Sequence, residues 1–200
     1  MSGIVGSYFN TRGSGVVAKL GTDGQVFTST GAGLSQGFEA AAGGGKVLQV
    51  VHMAKTDATQ ATATASWSDV SGMTATITPT ASDSTILVTV SANVATDEQH
   101  SAWKIVDGSG SDITDFIGDA DGSRPRSSST LIYDSTDSQG ENQALTFKDS
   151  PASTSAETYK MQWRTSSGSH VLSINCSSTD GDSAAGFRGV STITLLEIGA

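Results

Sequence analysis

Asp112, Asp115, Asp119 and Asp121 form the densest group of carboxylates in the chain, and hard-cation binding or acid–base catalysis is the chemistry such a group can do. Asp119-Ala120-Asp121-Gly122-Ser123 has the opening of a calcium loop, but the bidentate Glu that closes one is missing. The segment therefore reads as a solvated turn. Two carboxylates can also hydrolyse a glycosidic bond if a cleft holds them about 5–9.5 Å apart, a spacing that sequence does not place. Oligosaccharide release lost on substituting Asp119 or Asp121 would be the mark of that activity.

His52, His100 and His170 are far apart, and none has a second histidine or an acidic residue at a spacing common in zinc sites or hydrolytic triads. Each reads as a strand or loop side chain. Serine is abundant, yet Gly13-Ser14-Gly15 has neither the strand before it nor the helix after it that a nucleophile elbow needs. Gly43-Gly44-Gly45-Lys46 runs into Val47-Leu48-Gln49-Val50-Val51 rather than into a helix N-terminus, so no phosphate cradle follows. The residues offer no catalytic group, metal ligand or cofactor site, and the expectation is a protein that is not an enzyme.

Arg124-Pro125-Arg126 sets two cations on a rigid turn in an acidic chain. Such a pair can hold a partner's carboxylates, or neutralise Asp119 and Asp121 beside it at about 0–1 kcal/mol per exposed bridge. These four residues, in the loop 118–128, are the candidate receptor contacts; the loops 134–142 and 178–186 are the others. Trp67, Trp103 and Trp163 would suit a sugar-stacking platform. However, Trp163 shares a strand face with Tyr159 and Met161, and Trp103 shares one with Ile105, which favours the core for both. Trp67, in Ser66-Trp67-Ser68-Asp69, has no such assignment.

The elements that must position these groups are strands. Thr85–Asn93 alternates apolar and polar residues, and so do 159–164 and 192–198, which is the period of a half-buried strand. Strand candidates run over 46–53, 73–78, 85–93, 101–107, 112–117, 129–133, 143–148, 158–164, 170–175 and 188–198. Turn clusters such as Asp107-Gly108-Ser109-Gly110 and Asp180-Gly181-Asp182 separate them. Phe38-Glu39-Ala40-Ala41-Ala42 is the one helix-friendly stretch, too short to stand alone. Pro79, Pro125 and Pro151 fall in loops or at strand ends, where no ladder bond is lost. The pattern predicts an all-β, two-sheet sandwich. In the last strand Ile193 and Leu195 face one way and Leu196 and Ile198 the other, so Leu196 and Ile198 are the candidate subunit interface.

Of 23 glycines, twelve lie in residues 1–45, and this density divides the chain into an N-terminal attachment arm and linker, 1–45, and a head domain, 46–200. The arm's apolar clusters are too brief to close a core, so it is expected to order only against a partner. Ile4, Val5, Tyr8, Phe9 and Arg12 are the candidate attachment residues. The formal net charge of −9, with Lys and Arg scattered singly, argues against a nucleic-acid backbone as ligand. No apolar run approaches the roughly 20 residues of a membrane-spanning helix. A lone Cys176 and the lack of a charged and apolar leader suit maturation in a reducing cytosol.

The segment Gly21–Gly33 resembles the stretch that precedes head domains in bacteriophage fibre proteins, and Met1–Ser7 resembles the N-terminus of short phage virion proteins. Trp67–Met73, Ile77-Thr78-Pro79, Ser84–Val88, Lys148–Pro151, Glu157–Lys160, Gln162–Arg164, Ile174-Asn175 and Arg188–Ile198 are similar to the same group, so the resemblance covers most of the chain. It implies a bacteriophage virion surface protein, a short fibre or a capsid decoration, with a jelly-roll head of the kind found in complement and tumour-necrosis-factor ligands. It also implies a homotrimer made in the host cytoplasm and mounted on the virion through other capsid or tail proteins. A host-cell receptor, glycan or protein, is the alternative partner; nucleic acid and membrane insertion are not expected.

Overall fold

From Thr85 to Thr96 the two-residue period holds for nearly the whole strand: Ile86, Val88, Val90, Ala92 and Val94 are buried, and the residues between them are partly exposed. That strand is the centre of the structure. The computed structural model describes the backbone of Gln25–Thr28 and Gly37–Ala40 and, with side chains, residues 47–131, 133, 140–184 and 186–200. Ile4, Val5, Tyr8, Phe9 and Arg12 lie outside the described residues. The chain divides into two units, Met1–Gly44 and Gly45–Ala200.

In the first unit β1 (Gln25–Thr28) pairs antiparallel with β2 (Gly37–Ala40). The second unit contains β3 (Val47–Lys55), β4 (Thr59–Ala63), β5 (Ser68–Ile77), β6 (Thr85–Thr96), β7 (Ser101–Asp107), β8 (Ser129–Leu131), β9 (Glu141–Asp149), β10 (Glu157–Thr165), β11 (His170–Ile174) and β12 (Ser191–Ile198). One sheet runs β5-β10-β7-β8, and the other β3-β12-β6-β11-β4 with β9 also on β6. All pairings are antiparallel. Val94 faces Glu141 of β9 on one side and Ile174 of β11 on the other, so β6 is paired along both edges.

The two sheets bury their inner faces in one core. Ile86, Val88 and Val90 of β6, Ile193 and Leu195 of β12, and Leu172 of β11 meet Trp103 and Ile105 of β7, Tyr159, Met161 and Trp163 of β10, and Met73 of β5. Among the described residues no helix is long and apolar enough to cross a membrane. The protein is all-β, with two antiparallel sheets arranged compatibly with a sandwich.

Several elements differ from the expectations, among them β1 and β2, which pair within the arm where no strand is predicted. The predicted strand at 112–117 is a single bridge from Asp112 to Val106 followed by a 3-10 turn, Thr114–Phe116. The turn delivers Phe116 into the core, where its ring stacks on Phe147 at 4.5 Å and lies 6.1 Å from Tyr159. β4 was not anticipated, because Thr59-Gln60-Ala61-Thr62-Ala63 offers small side chains and little apolar contrast. β5 begins at Ser68, not 73, because a bulge breaks its period: Val70 and Met73, three apart, both point inward. Gly72 makes this possible with φ +80, its hydrogen in place of a Cβ that would stand 3.4 Å from Lys55 Nζ. In the helix-friendly stretch, Phe38-Glu39-Ala40 belongs to β2.

Candidate functional site

Outward positions of β3, β12, β6 and β9 make one continuous surface. Register places Val50, Leu196, Leu87 and Lys148 in one cross-strand row, and His52, Thr194, Thr89 and Thr146 in the next. Val50 is 57% exposed, and beside it Val47 and Leu48 are exposed too. Leu196 and Ile198, the two residues singled out in the last strand, lie on this outward face and are half-buried. They extend an apolar corner formed by Leu48, Val50 and Leu87. Below that corner hydroxyls take over: Thr89 shares a hydrogen bond with Thr146, and His52 one with Thr194. No Asp or Glu occupies an outward position of these four strands.

A carboxylate lies immediately beneath this face. Glu197 has inward parity on β12 and is fully buried. Among the described residues it has no cationic partner; its oxygens accept hydrogen bonds from Gln49 Nε2 (2.7 Å), Thr80 N (2.7 Å), Thr80 Oγ1 (2.8 Å) and Ser84 Oγ (2.7 Å). Burial pushes its pKa up, but the donors from Ser84, Gln49 and Thr80 outweigh burial and hold it at about 2. The connection from β5 to β6 is thereby tied to the strand that carries Leu196 and Ile198. Parity with Ile193 and Leu195 was the sequence signal for this residue.

A second buried polar centre joins the far ends of the same strands. Asn175, in the left-handed region at φ 64, donates to Lys55 O (2.7 Å) and Asp57 O (3.0 Å) and accepts from Ser191 Oγ (2.6 Å). Its backbone N–H donates to Asn93 O at 2.8 Å. Gly189 packs on Asn93 so closely that a Cβ there would lie 2.7 Å from its side chain.

The outward face of the four-stranded sheet has a different chemistry. Trp67 is half-buried there, with Lys104 Nζ 4.5 Å and the Arg164 guanidinium carbon 5.7 Å from its ring centroid. Lys104 pairs with Asp112. Asp69 accepts from Lys160 Nζ (2.8 Å) and Gln162 Nε2 (2.7 Å), and these bonds lower its pKa. Trp103 and Trp163 are buried. A Tyr159 phenol sealed in the core, its pKa raised by burial and by the bond to Asp149, has no acid–base role near neutral pH.

In the loop 118–128 the structure brings Arg124 onto Asp121, both exposed. Arg126 turns back to donate from Nε to Gly118 O, which closes the loop. Asp119 is exposed and joins neither pair. Part of the second receptor loop, 134–139, lies outside the described residues. The histidines, distant in sequence, are less scattered in space: Glu98 is 2.9 Å from His170 Nε2 and 3.5 Å from His100 Nδ1, and His170 Nδ1 is 3.4 Å from Asp97. The turn between β6 and β7 and the start of β11 produce this convergence, which no short spacing announces. Among the described residues no group of three or more His, Cys, Asp or Glu is arranged to hold a metal ion. Cys176 is buried, and burial raises its thiol pKa, which disfavours the reactive thiolate. No family model and no curated protein matches the chain.

Proposed function

We propose that the chain is a non-enzymatic structural protein of a phage virion, a homotrimeric surface knob of the capsid-decoration or short-fibre type attached through residues 1–45. The observation that carries self-association is the outward face of β3, β12, β6 and β9. It combines an apolar corner of Leu48, Val50, Leu87, Leu196 and Ile198 with hydroxyl rows and no carboxylate. A molecule with a net charge of −9 repels its own copies least across a patch free of carboxylates, and this face, whose charged outward residue is Lys148, is such a patch. A second copy is therefore the occupant it suits.

Strand order supports a jelly-roll head. With β4 and β11 set aside, the eight remaining strands of the second unit, taken in chain order, lie as first-eighth-third-sixth and second-seventh-fourth-fifth, a wrapped double Greek key. The virion assignment rests on the resemblance of the sequence to phage surface proteins.

Sedimentation equilibrium of the full chain tests the assembly, with a trimer as the expected result and a stable single copy as the result that defeats it. Val50→Lys with Leu196→Lys should return the protein to a folded monomer. Removing residues 1–20 tests the attachment, because the trimer should persist while incorporation into particles is lost. Unchanged incorporation would count against the arm.

A further inference from the structure

We infer that a cleft on the outward face of the four-stranded sheet binds an acidic saccharide through a sugar carboxylate. It has a volume of about 870 Å³, within the range of small-ligand sites. Arg164 of β10, Ala102 of β7 and Thr130 of β8 are neighbours in one cross-strand row and form its floor. The segment Ser123-Arg124-Pro125 makes one wall, and the turns bearing His100 and Ser166 close the end.

Arg164 is the recognising group. Its Nε donates to Thr165 O at 3.1 Å and its guanidinium carbon lies 5.7 Å from the centroid of the Trp67 ring, two contacts that restrict where the fork can point. Among the described residues no carboxylate pairs with it, although the chain carries 20 Asp and Glu. An oriented, unpaired guanidinium in a cleft matches a ligand carboxylate in shape and charge. Arg124 also lines the cleft, and its pairing with Asp121 lies at the surface and is therefore readily exchanged for a ligand oxygen. Glu98, at the closed end, is engaged by His170 and lies near His100. The remaining lining includes hydroxyl and apolar groups: Ser123, Ser127 and Thr130 can meet sugar hydroxyls, while Ala102 and Pro125 can meet the C–H face of a ring. A bare phosphate would use the cations and leave that lining idle. The inference stands on the cleft alone and does not rest on self-association.

The test uses the full chain with two carboxylated probes, tri-galacturonic acid and sialyllactose, lactose as the neutral counterpart and a heparin disaccharide as the sulfated one. Calorimetry and saturation-transfer NMR read the binding. At least one carboxylated probe should bind and lactose should not. Arg164→Gln should weaken binding about 10-fold or more, Arg124→Gln less, and Arg188→Gln, paired with Asp180 elsewhere, not at all. Since Arg164→Gln also disturbs Trp67, Ser123→Trp provides a second route: it fills the mouth from an exposed loop and should abolish binding with unchanged melting. Failure of both carboxylated probes, equal binding of lactose, binding of the sulfated sugar alone, or indifference to Arg164→Gln or Ser123→Trp would each overturn the inference. Sedimentation of the same samples reports assembly separately, so loss of one property is not mistaken for loss of the other.

Discussion

The two sheets share one core but turn opposite chemistries outward. On the six-stranded side, Val50, Leu196 and Leu87 adjoin rows of Thr and Ser, with no carboxylate on the outward positions of β3, β12, β6 and β9. On the four-stranded side, Lys104 and Arg164 approach the Trp67 ring, Lys104 pairs with Asp112, and Lys160 pairs with Asp69. Like charges block close approach of identical surfaces, whereas fixed cations attract anions. Under the proposed assembly the first face would be the one covered by a second copy, and the second would stay in solvent and meet a smaller, charged partner.

Matched charge insertions test this division most strongly. Lys at both Val50 and Leu196 should weaken self-association at least about 100-fold, as expected for two interface anchors. Thr74→Lys, at an exposed outward position of β5, should leave it unchanged. Analytical ultracentrifugation over a concentration series distinguishes the cases, and equal effects on both faces would erase the contrast.

A smaller but cleaner effect is expected at Glu197, which lies beneath the outward face of β12. Glu197→Ala orphans the donors of Gln49, Thr80 and Ser84 and should cost about 1–3 kcal/mol in urea unfolding. Acid sharpens the point. The folded carboxylate titrates at about 2 and the unfolded one near 4.5, so on acidification the unfolded chain takes up the proton first. The contribution is complete above about pH 4.5 and is lost as the pH falls toward 2. Thermal melts across that window should show a steeper decline for the native chain than for Glu197→Gln, and parallel curves would remove Glu197 from this role.

How much of this was legible in the sequence depends on period. β6, β10 and β12 could be read because a two-residue alternation runs along most of each, although Leu195-Leu196 interrupts it in β12. The same parity put Leu196 and Ile198 on the far face, and it also pointed Glu197 inward. β5 was shortened in the reading because the bulge at Gly72 shifts its parity, and β4 was missed because alanine and threonine carry little contrast. Phe116 misled: in an extended reading it continues a strand, but only a 3-10 turn brings it against Phe147. The recognising cleft was half visible. Arg124 was prominent as a cation beside a proline, whereas Arg164 looked like an ordinary outward residue of β10. That no carboxylate among the described residues pairs with it depends on which strands lie beside β10, and that is a property of topology rather than of spacing.

Trp67 offers a weaker test on the solvent-facing side. Trp67→Leu keeps an apolar cover but removes the ring that Lys104 and Arg164 approach, and should cost about 0.5–1 kcal/mol. Its second readout is orientation: the Nε–Hε resonance of Arg164 should broaden or shift as the brace is lost. A stability loss without that change would make Trp67 simple packing.

The smallest effect belongs to Asp69, and its smallness separates the faces as well as any large one. Its bonds to Lys160 and Gln162 lie at the surface, with the carboxylate side chain about half exposed. Pairs of this kind contribute about 0–1 kcal/mol, and screening shortens their reach to roughly 3 Å at about 1 M salt. Asp69→Asn should therefore lower stability slightly at low ionic strength and hardly at all in high salt. Glu197→Gln, at a fully buried carboxylate, should cost the same in both. If the two substitutions respond alike to salt, then the outer face of the four-stranded sheet is as closed as the underside of β12, and the contrast between a solvent-facing and a covered surface fails.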